Sequence, residues 1–555
     1  MKVVRSIFRL IRICVSTREG KIGIIFYAAV FFLNIVGVKV SLEMIKWNKY
    51  FYNALEKYDT QAVFYQVKMF AILVLASSSI YLISTFLQKM LQIRWRNVLT
   101  HRALNIWLKD KNYWHLSSSD KAELDNPDQR IAEDCRTFVE HLTGTTLELL
   151  NKCIGLTTYV VVLWSIATYA LSFTVFGAHI SIPHYMVWLA PIYVAVSSLL
   201  THYLGRPLIK LNVEQKHREA DFRYCLTRFR ESKDAVALQS GEKVERAIMD
   251  ERFISIIKNW KKLIRRDLIL GCFTRPYMAT ILRIPVFLAL PAYLFGKVTL
   301  GSLMQISSAF QNVVTNLSWF IFYYRDLAAL AASSVRFDAF LSAAESFTYA
   351  QQELPKQKDK LDIKDLTLYS PENKILFSIG SVKISKGDTL LIQGSSGKGK
   401  TTLFRTIAGL HHNYTGSIAV PENKSMFLPQ KAYFPLGGLA HAVSYPNSFD
   451  EKSATEIKDI LKKVQFPDKD IETRFMQYDM SLLSGGEQQR LVIARILFNK
   501  PEWIFMDEST NALDYESEKF LIELMQSQLP KSTYVIVSHS DAVNAYAQNY
   551  SRLNI

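Results

Sequence analysis

From Cys153 to Gly205 the chain carries no Asp, Glu, Lys or Arg. Crossing the hydrocarbon layer of a bilayer takes about 20 predominantly apolar residues in a helix, so this run holds enough chain for two crossings. Gly177 and Pro183 mark the expected turn between them. Residues 22–38 and 69–88 are also free of charged residues. Residues 268–295 and 303–324 form a last pair, joined by a short segment that includes Lys297. The sequence therefore predicts six spans.

Charge distribution orients them. The chain has a formal charge of +16, which in a soluble protein would raise nucleic acid as a partner. Residues 1–350 carry 42 Lys and Arg against 26 Asp and Glu, whereas residues 351–555 carry 24 of each. The excess thus sits beside the apolar runs, and a nucleic-acid partner is excluded from the reading. Basic residues precede the first run (Lys2, Arg5, Arg9, Arg12, Arg18, Lys21) and follow the second (Lys89, Arg94, Arg96, Arg102); sixteen more lie within 206–266. By the positive-inside rule both termini and the two long loops face the cytoplasm. Residues 1–22 read as a basic helix lying in the membrane interface and retained in the protein, with Arg5, Arg9 and Arg12 on one face. Five cysteines without paired spacing imply neither a disulfide framework nor a zinc site.

Two arginines break the pattern. Arg275 and Arg283 fall within the fifth predicted span, where a charge is costly and usually faces a polar cavity or a partner. Arg275 sits near the cytoplasmic end, where its side chain can snorkel. Arg283 lies deeper and is a candidate for lining a solute cavity.

After residue 350 the texture changes to short alternating segments. Residues 389–393 (TLLIQ) read as a buried strand running into Gly394, Ser395, Ser396, Gly397, Lys398, Gly399, Lys400, Thr401 and Thr402, followed by a helical pattern. This is the P-loop arrangement. Glycines let backbone N–H groups wrap phosphates at a helix N-terminus, where the helix dipole favours anions. Lys400 is expected on the β- and γ-phosphates and the Thr401 hydroxyl on Mg²⁺. Further on, LSGGEQQR (residues 483–490) precedes a second helical pattern, and the apolar strand WIFM ends in Asp507 and Glu508. An acid at a strand end can hold a metal's shell, and its neighbour can polarise an attacking water.

Together these motifs resemble the ATP-binding cassette transporters. The resemblance implies a six-span, exporter-like α-helical transmembrane domain followed by an α/β P-loop nucleotide-binding domain, with ATP and Mg²⁺ as cofactors. It implies boundaries at 1–22 (interfacial helix), 23–345 (membrane domain, coupling regions near 120–134 and 225–240), 346–360 (linker) and 361–555 (cassette). It makes Glu508 the catalytic carboxylate, Gln430 the Q-loop residue on the metal, His539 the switch histidine and Asp514 part of the D-loop. Tyr369 falls where the family stacks an aromatic ring on adenine. Ser484, Gly485, Gly486 and Glu487 form the signature, which completes the ATP site of a second copy; a chain with one cassette and six spans resembles a half-transporter acting as a homodimer. Residues 125–134 and 231–246 narrow the resemblance to the branch with peroxisomal acyl-CoA transporters and bacterial uptake proteins for cobalamin, bleomycin and antimicrobial peptides. That branch implies import of cobalamin or another hydrophilic solute or peptide. Transport of acyl-CoA or fatty acids is the alternative, and an ATP-gated channel or sensor is the rival class. A bacterial inner membrane is the expected location, with a peroxisomal or lysosomal membrane as alternatives.

The P-loop reading makes a direct prediction. Lys400→Ala removes a charged hydrogen-bond donor, worth about 1.5–3 kcal/mol, so an equilibrium binding assay should show nucleotide affinity falling roughly 10- to 100-fold.

Overall fold

The computed structural model describes residues 2–117, 126–168, 171–175, 178–350, 354–370, 372–395, 397–538 and 551–554. The chain divides into two compact units, Met1–Thr348 and Tyr349–Ile555.

In the first unit the elements run α1 (Lys2–Ser16), α2 (Arg18–Glu56), α3 (Thr60–Leu108), α4 (Asn112–Ser117), α5 (Pro127–Gln129) and α6 (Cys135–Ile166), then the strands β1 (Leu171–Val175) and β2 (Ala178–Ile182). They continue as α7 (Tyr185–Glu231), α8 (Lys233–Gln239), α9 (Glu242–Leu294), α10 (Leu300–Leu317) and α11 (Trp319–Ala350). Six of these stretches are, among the described residues, long and apolar enough to cross a membrane. Side-chain caps fix several starts: Thr17 accepts from the Gly20 N–H, Asp59 from the Ala62 N–H, and Thr299 from the Ser302 N–H.

The uncharged run from Cys153 resolves into the end of α6 and the start of α7, as expected, but the turn between them is an antiparallel strand pair, Leu171 opposite Ile182. Helices α7 and α9 have 47 and 53 residues. At about 1.5 Å per residue they reach some 70–80 Å, far beyond a hydrocarbon layer of about 30 Å. Their charged halves pack along each other, joined by the short α8.

The last span departs from the expectation. The stretch 303–324 is broken at Ser318 between α10 and α11, and the sixth run long and apolar enough to cross, among the described residues, is Arg325–Ser346. Gln305, Gln311, Asn312 and Asn316 lower the hydropathy of α10. These polar groups are tolerated because α10 packs among α2, α6, α7 and α9. There the Asn48 amide donates to Ser308 Oγ at 2.8 Å, and Asn312 donates to the Ser308 carbonyl.

Helix α1 packs one side against the membrane unit. Leu10 and Cys14 are fully buried against Leu91, Trp95, Leu99, Phe337 and Phe340. Arg9 turns inward, donating to Asp338 at 2.9 Å and Glu345 at 2.6 Å, while Arg5 and Arg12 stay outside. The three arginines therefore do not share one solvent face. Two carboxylates on α11 pull Arg9 away from its neighbours. Nearby, Arg336 and Arg130 converge on the buried Asp134.

The second unit runs β3 (Lys356–Gln357), β4 (Lys360–Tyr369), β5 (Ile375–Ile379), β6 (Val382–Ser385), β7 (Thr389–Gln393), α12 (Lys400–Ile407), β8 (Tyr414–Pro421), β9 (Ser425–Leu428), α13 (Leu439–Ser444), α14 (Ala454–Lys463) and α15 (Asp468–Thr473). It ends with α16 (Gly485–Asn499), β10 (Trp503–Asp507), α17 (Tyr515–Gln528), β11 (Thr533–Val537) and β12 (Ser551–Asn554). A parallel sheet in the order β12-β7-β11-β10-β9 carries the P-loop, and a mainly antiparallel sheet built on β4, β5, β6 and β8 lies beside it. All of β10 is buried, with its side chains alternating between two cores. Trp503 and Phe505 join Leu403 and Phe404 of α12, whereas Ile504 and Met506 join Leu491 of α16 and Leu521 of α17. A strand covered on both faces has no polar side to show until it ends, which explains the continuous apolar run before Asp507.

Gly301 marks a close helix approach in the membrane unit. A Cβ there would lie 2.1 Å from the Lys49 carbonyl oxygen, and its N–H donates to Asn53 Oδ1. Gly301→Ala should destabilise the detergent-solubilised protein by about 1–3 kcal/mol, read as a lowered Tm.

Candidate functional site

Strand β7 ends at Gln393 and the chain turns through the glycine-rich loop into α12, whose N-terminal cap is Gly399. Gly397 and Gly399 have φ of +84° and +89°, a region that side chains with a Cβ adopt at a cost. At Gly399 a Cβ would also press on the Phe377 ring at 3.0 Å. Lys400 is 6% exposed and folds back over the loop, donating from Nζ to the Gly394 carbonyl at 2.6 Å. Ser396 lies outside the described residues.

Two strands away, β10 delivers the carboxylates. Asp507 is buried, and desolvation pushes its carboxyl above the usual carboxylate range; the hydrogen bond with the Thr401 side chain opposes this shift. Glu508 follows at φ +49°, a left-handed conformation that is uncommon outside glycine. Its N–H is held by the Val537 carbonyl at 3.0 Å. This kink presents the Glu508 carboxylate to two amide donors and a lysine ammonium. Gln430 and Asn511 each donate to Oε2 at 3.2 Å, and Lys400 Nζ stands 3.9 Å from Oε1. Lys400, Thr401, Gln430, Asp507 and Glu508, from three separate segments of the sequence, therefore meet in one place. Asn511, three residues before Asp514, joins this cluster through its contact with Glu508.

The signature segment is built as a helix start. Ser484 Oγ accepts from the Glu487 N–H at 3.3 Å, and Glu487 returns the bond to the Ser484 N–H at 2.7 Å, forming a reciprocal capping box. Gly485 permits close approach to the D-loop, since a Cβ there would lie 3.1 Å from that of Ala512. Gln489 accepts from the Ala512 N–H at 2.9 Å. Asp514 caps α17 by accepting from the Ser517 N–H, and that bond holds its carboxyl below the usual range. Arg490 ties α16 to the start of α17 through Ser517 Oγ at 2.8 Å. Signature and D-loop are thus one packed unit.

Tyr369 closes β4, half-buried, with its hydroxyl near Thr415 Oγ1. The aromatic ring beside Gly399 is Phe377, on the strand paired with β4. Sequence reasoning did not single it out, because a Phe in an alternating strand looks like any core residue. His539 lies outside the described residues. Arg283 and Arg275 are exposed on α9, and among the described residues no carboxylate pairs with either.

A residue the motifs did not flag is Arg495, buried on α16. It donates to the carbonyls of Ala442 (2.8 Å) and Tyr433 (2.9 Å), and it stands over the rings of Phe434 and Tyr445. Burial lowers its pKa to about 10, so it remains charged at neutral pH. It fixes the segment just after Gln430 to the signature helix.

A phosphate-binding loop beside a buried aspartate and a multiply held glutamate, joined in one chain to a six-span helical unit, defines an ATP-driven membrane protein. Comparison with known families makes this specific. The ABC transporter transmembrane region 2 family matches residues 10–290, and the ABC transporter family matches residues 378–511. The chain belongs to the ATP-binding cassette transporters: it binds ATP and is an ATPase coupled to solute movement across a membrane. The inner membrane ABC transporter ATP-binding protein YddA of Escherichia coli strain K12 is 33% identical over 516 residues, covering 91% of this chain and 90% of that protein. The chloroplastic ABC transporter D family member 2 of Arabidopsis thaliana is 29% identical over 92% of this chain and 80% of its own. The human lysosomal cobalamin transporter ABCD4 is 24% identical over 85% of this chain and 82% of its own.

Arg495→Met should cost about 1.5–3 kcal/mol in stability, because two carbonyls lose a charged donor, and it should lower ATPase turnover while leaving ATP affinity near wild type. Thermal unfolding, nucleotide titration and steady-state hydrolysis check the three parts.

Proposed function

We propose that two copies of this chain form a transporter that imports a hydrophilic solute across a bacterial inner membrane, with cobalamin as the leading substrate. The observation that carries the catalytic part is the Glu508 carboxylate, set one residue past buried Asp507 and within reach of Lys400, Gln430 and Asn511. Glu508 would polarise the water that attacks the γ-phosphate. Lys400 would hold the β- and γ-phosphates, and the loop N–H groups would wrap the rest. The capped signature of one copy, led by Ser484 and Gly486, would close on the γ-phosphate bound by the other. His539 would contact that phosphate as well, and Tyr369 would stack on the adenine.

The donor chemistry suits Mg²⁺. Thr401 offers a hydroxyl, Asp507 a carboxylate and Gln430 an amide oxygen, all hard oxygen ligands. Among the described residues no group of three or more His, Cys, Asp or Glu could form a metal cage. That suits an ion which takes few protein ligands and completes its shell with phosphate and water. Bound there, Mg²⁺ would neutralise charge developing on the phosphates.

Cobalamin rests on the likeness to the human lysosomal cobalamin transporter, and the inner-membrane location on the likeness to the Escherichia coli protein. A second reading, an acyl-CoA thioester, draws on Arg283, an exposed intramembrane cation that would suit an anionic solute.

Glu508→Gln keeps the shape of the site and removes the base. It should bind ATP like wild type yet hydrolyse it at least about 100-fold more slowly. In proteoliposomes, wild-type protein should accumulate cyanocobalamin when ATP is supplied on the cassette side. Wild-type hydrolysis by the variant would overturn the role of Glu508, and ATP hydrolysis without cobalamin uptake would overturn the substrate.

A further inference from the structure

We propose that a cleft between α3 and α6 binds the phosphate headgroup of an anionic membrane lipid. The cleft is a surface cavity of about 150 Å³. Helix α3 contributes Lys89, Ile93 and Arg96, which repeat at the helical spacing and so lie on one face; α6 contributes Arg136 and Glu140, one turn apart. Three cations and one carboxylate therefore share the cleft.

These cations differ from their neighbours. Arg94 pairs with Glu19 and stands over the Phe26 ring, and Arg102 pairs with Glu345. For Lys89, Arg96 and Arg136, no carboxylate lies within ion-pair distance among the described residues, and all three side chains are exposed. Three cations outnumber the one carboxylate, Glu140, in the cleft and repel one another, and an anion seated between them would relieve that repulsion.

The floor of the cleft is rigid. Gln92 (9% exposed) donates to Thr143 Oγ1 at 3.0 Å, and the Thr143 hydroxyl donates in turn to the carbonyl of Val139 (1% exposed). The helices stay close just above, where a Cβ on Gly144 would lie 3.8 Å from Gln88 Nε2. A cleft with a fixed floor does not need to be reorganised to receive a ligand.

Position selects a lipid over a free anion. Lys89 is the first charge after the uncharged run 69–88, so the cleft stands at the level where hydrocarbon gives way to headgroups. On the same stripe of α3, Phe86 and Leu82 are 63% and 65% exposed, and Ile93 between the cations is 61% exposed. An acyl chain can lie along that stripe while its phosphate sits among Lys89, Arg96 and Arg136. Basic pockets between membrane helices are a recurring way of holding anionic headgroups.

The test uses full-length protein in neutral detergent micelles. Dioleoylphosphatidylglycerol is titrated against Tm, with dioleoylphosphatidylcholine and inorganic phosphate as controls. Phosphatidylglycerol should raise Tm saturably and the controls should not. Arg96→Gln and Arg136→Gln should each raise its half-saturating concentration about fivefold, and the double variant about 25-fold. Tm in phosphatidylcholine alone should stay at the wild-type value, which separates lost binding from lost folding. Lys89→Gln provides a milder second variant should the double variant fold poorly. Equal stabilisation by both lipids, or by inorganic phosphate, would overturn the proposal. So would efficient disulfide cross-linking between two copies through Ile93→Cys, which would place this face at a subunit interface.

Discussion

A peptide group inside hydrocarbon has no water to bond, so every N–H and C=O of a crossing segment must be satisfied within the protein. The membrane unit follows from that constraint. Its six stretches long and apolar enough to cross a membrane are helical, and the prolines within α7 and α9 are carried inside continuous helices. Once helices are obligatory, polar side chains must find partners among themselves. Asn48 meets Ser308, Gln92 meets Thr143, and Tyr277 meets Ser318. Small residues such as Gly301 then set how closely the helices can approach.

In the cassette a different constraint does comparable work. A parallel strand buried on both faces can expose chemistry only where it ends. Strand β10 spends Trp503 to Met506 on two cores and releases Asp507 and Glu508 at its C-terminal edge, beside the loop that leaves β7. The left-handed backbone at Glu508 is a local cost that the sheet and the Val537 carbonyl hold in place. What that strain secures is direction: the carboxylate faces Lys400, Gln430 and Asn511 instead of continuing the strand.

Arg495 links these themes. A buried guanidinium is tolerated because two carbonyls and two aromatic rings surround it. It joins the helix of the signature to the segment after Gln430, so these two motifs belong to one mechanical body. The capping box at Ser484 and the contacts of Gln489 and Arg490 extend that body to the D-loop.

Much of this was legible in the sequence because it is local or periodic. Uncharged length fixes helices in a membrane, glycines before Lys400 fix a loop, and an apolar run ending in two acids fixes a buried strand with an acidic tip. The less legible features all depend on neighbours distant along the chain. Arg9 resembles Arg5 and Arg12 until Asp338 and Glu345 turn it inward, and α10 looks too polar for its buried place until Asn48 and Ser308 meet. Arg96 and Arg136 look like ordinary basic flanks until α3 and α6 bring them to one cleft. The sequence by itself determined the class of protein, five of its six apolar stretches and the positions of its cassette motifs, since composition and spacing dictate those directly. Only the tertiary structure decided which charges are paired, which stand alone and which residue braces the signature helix, because the partners are set by packing between segments that can lie hundreds of residues apart.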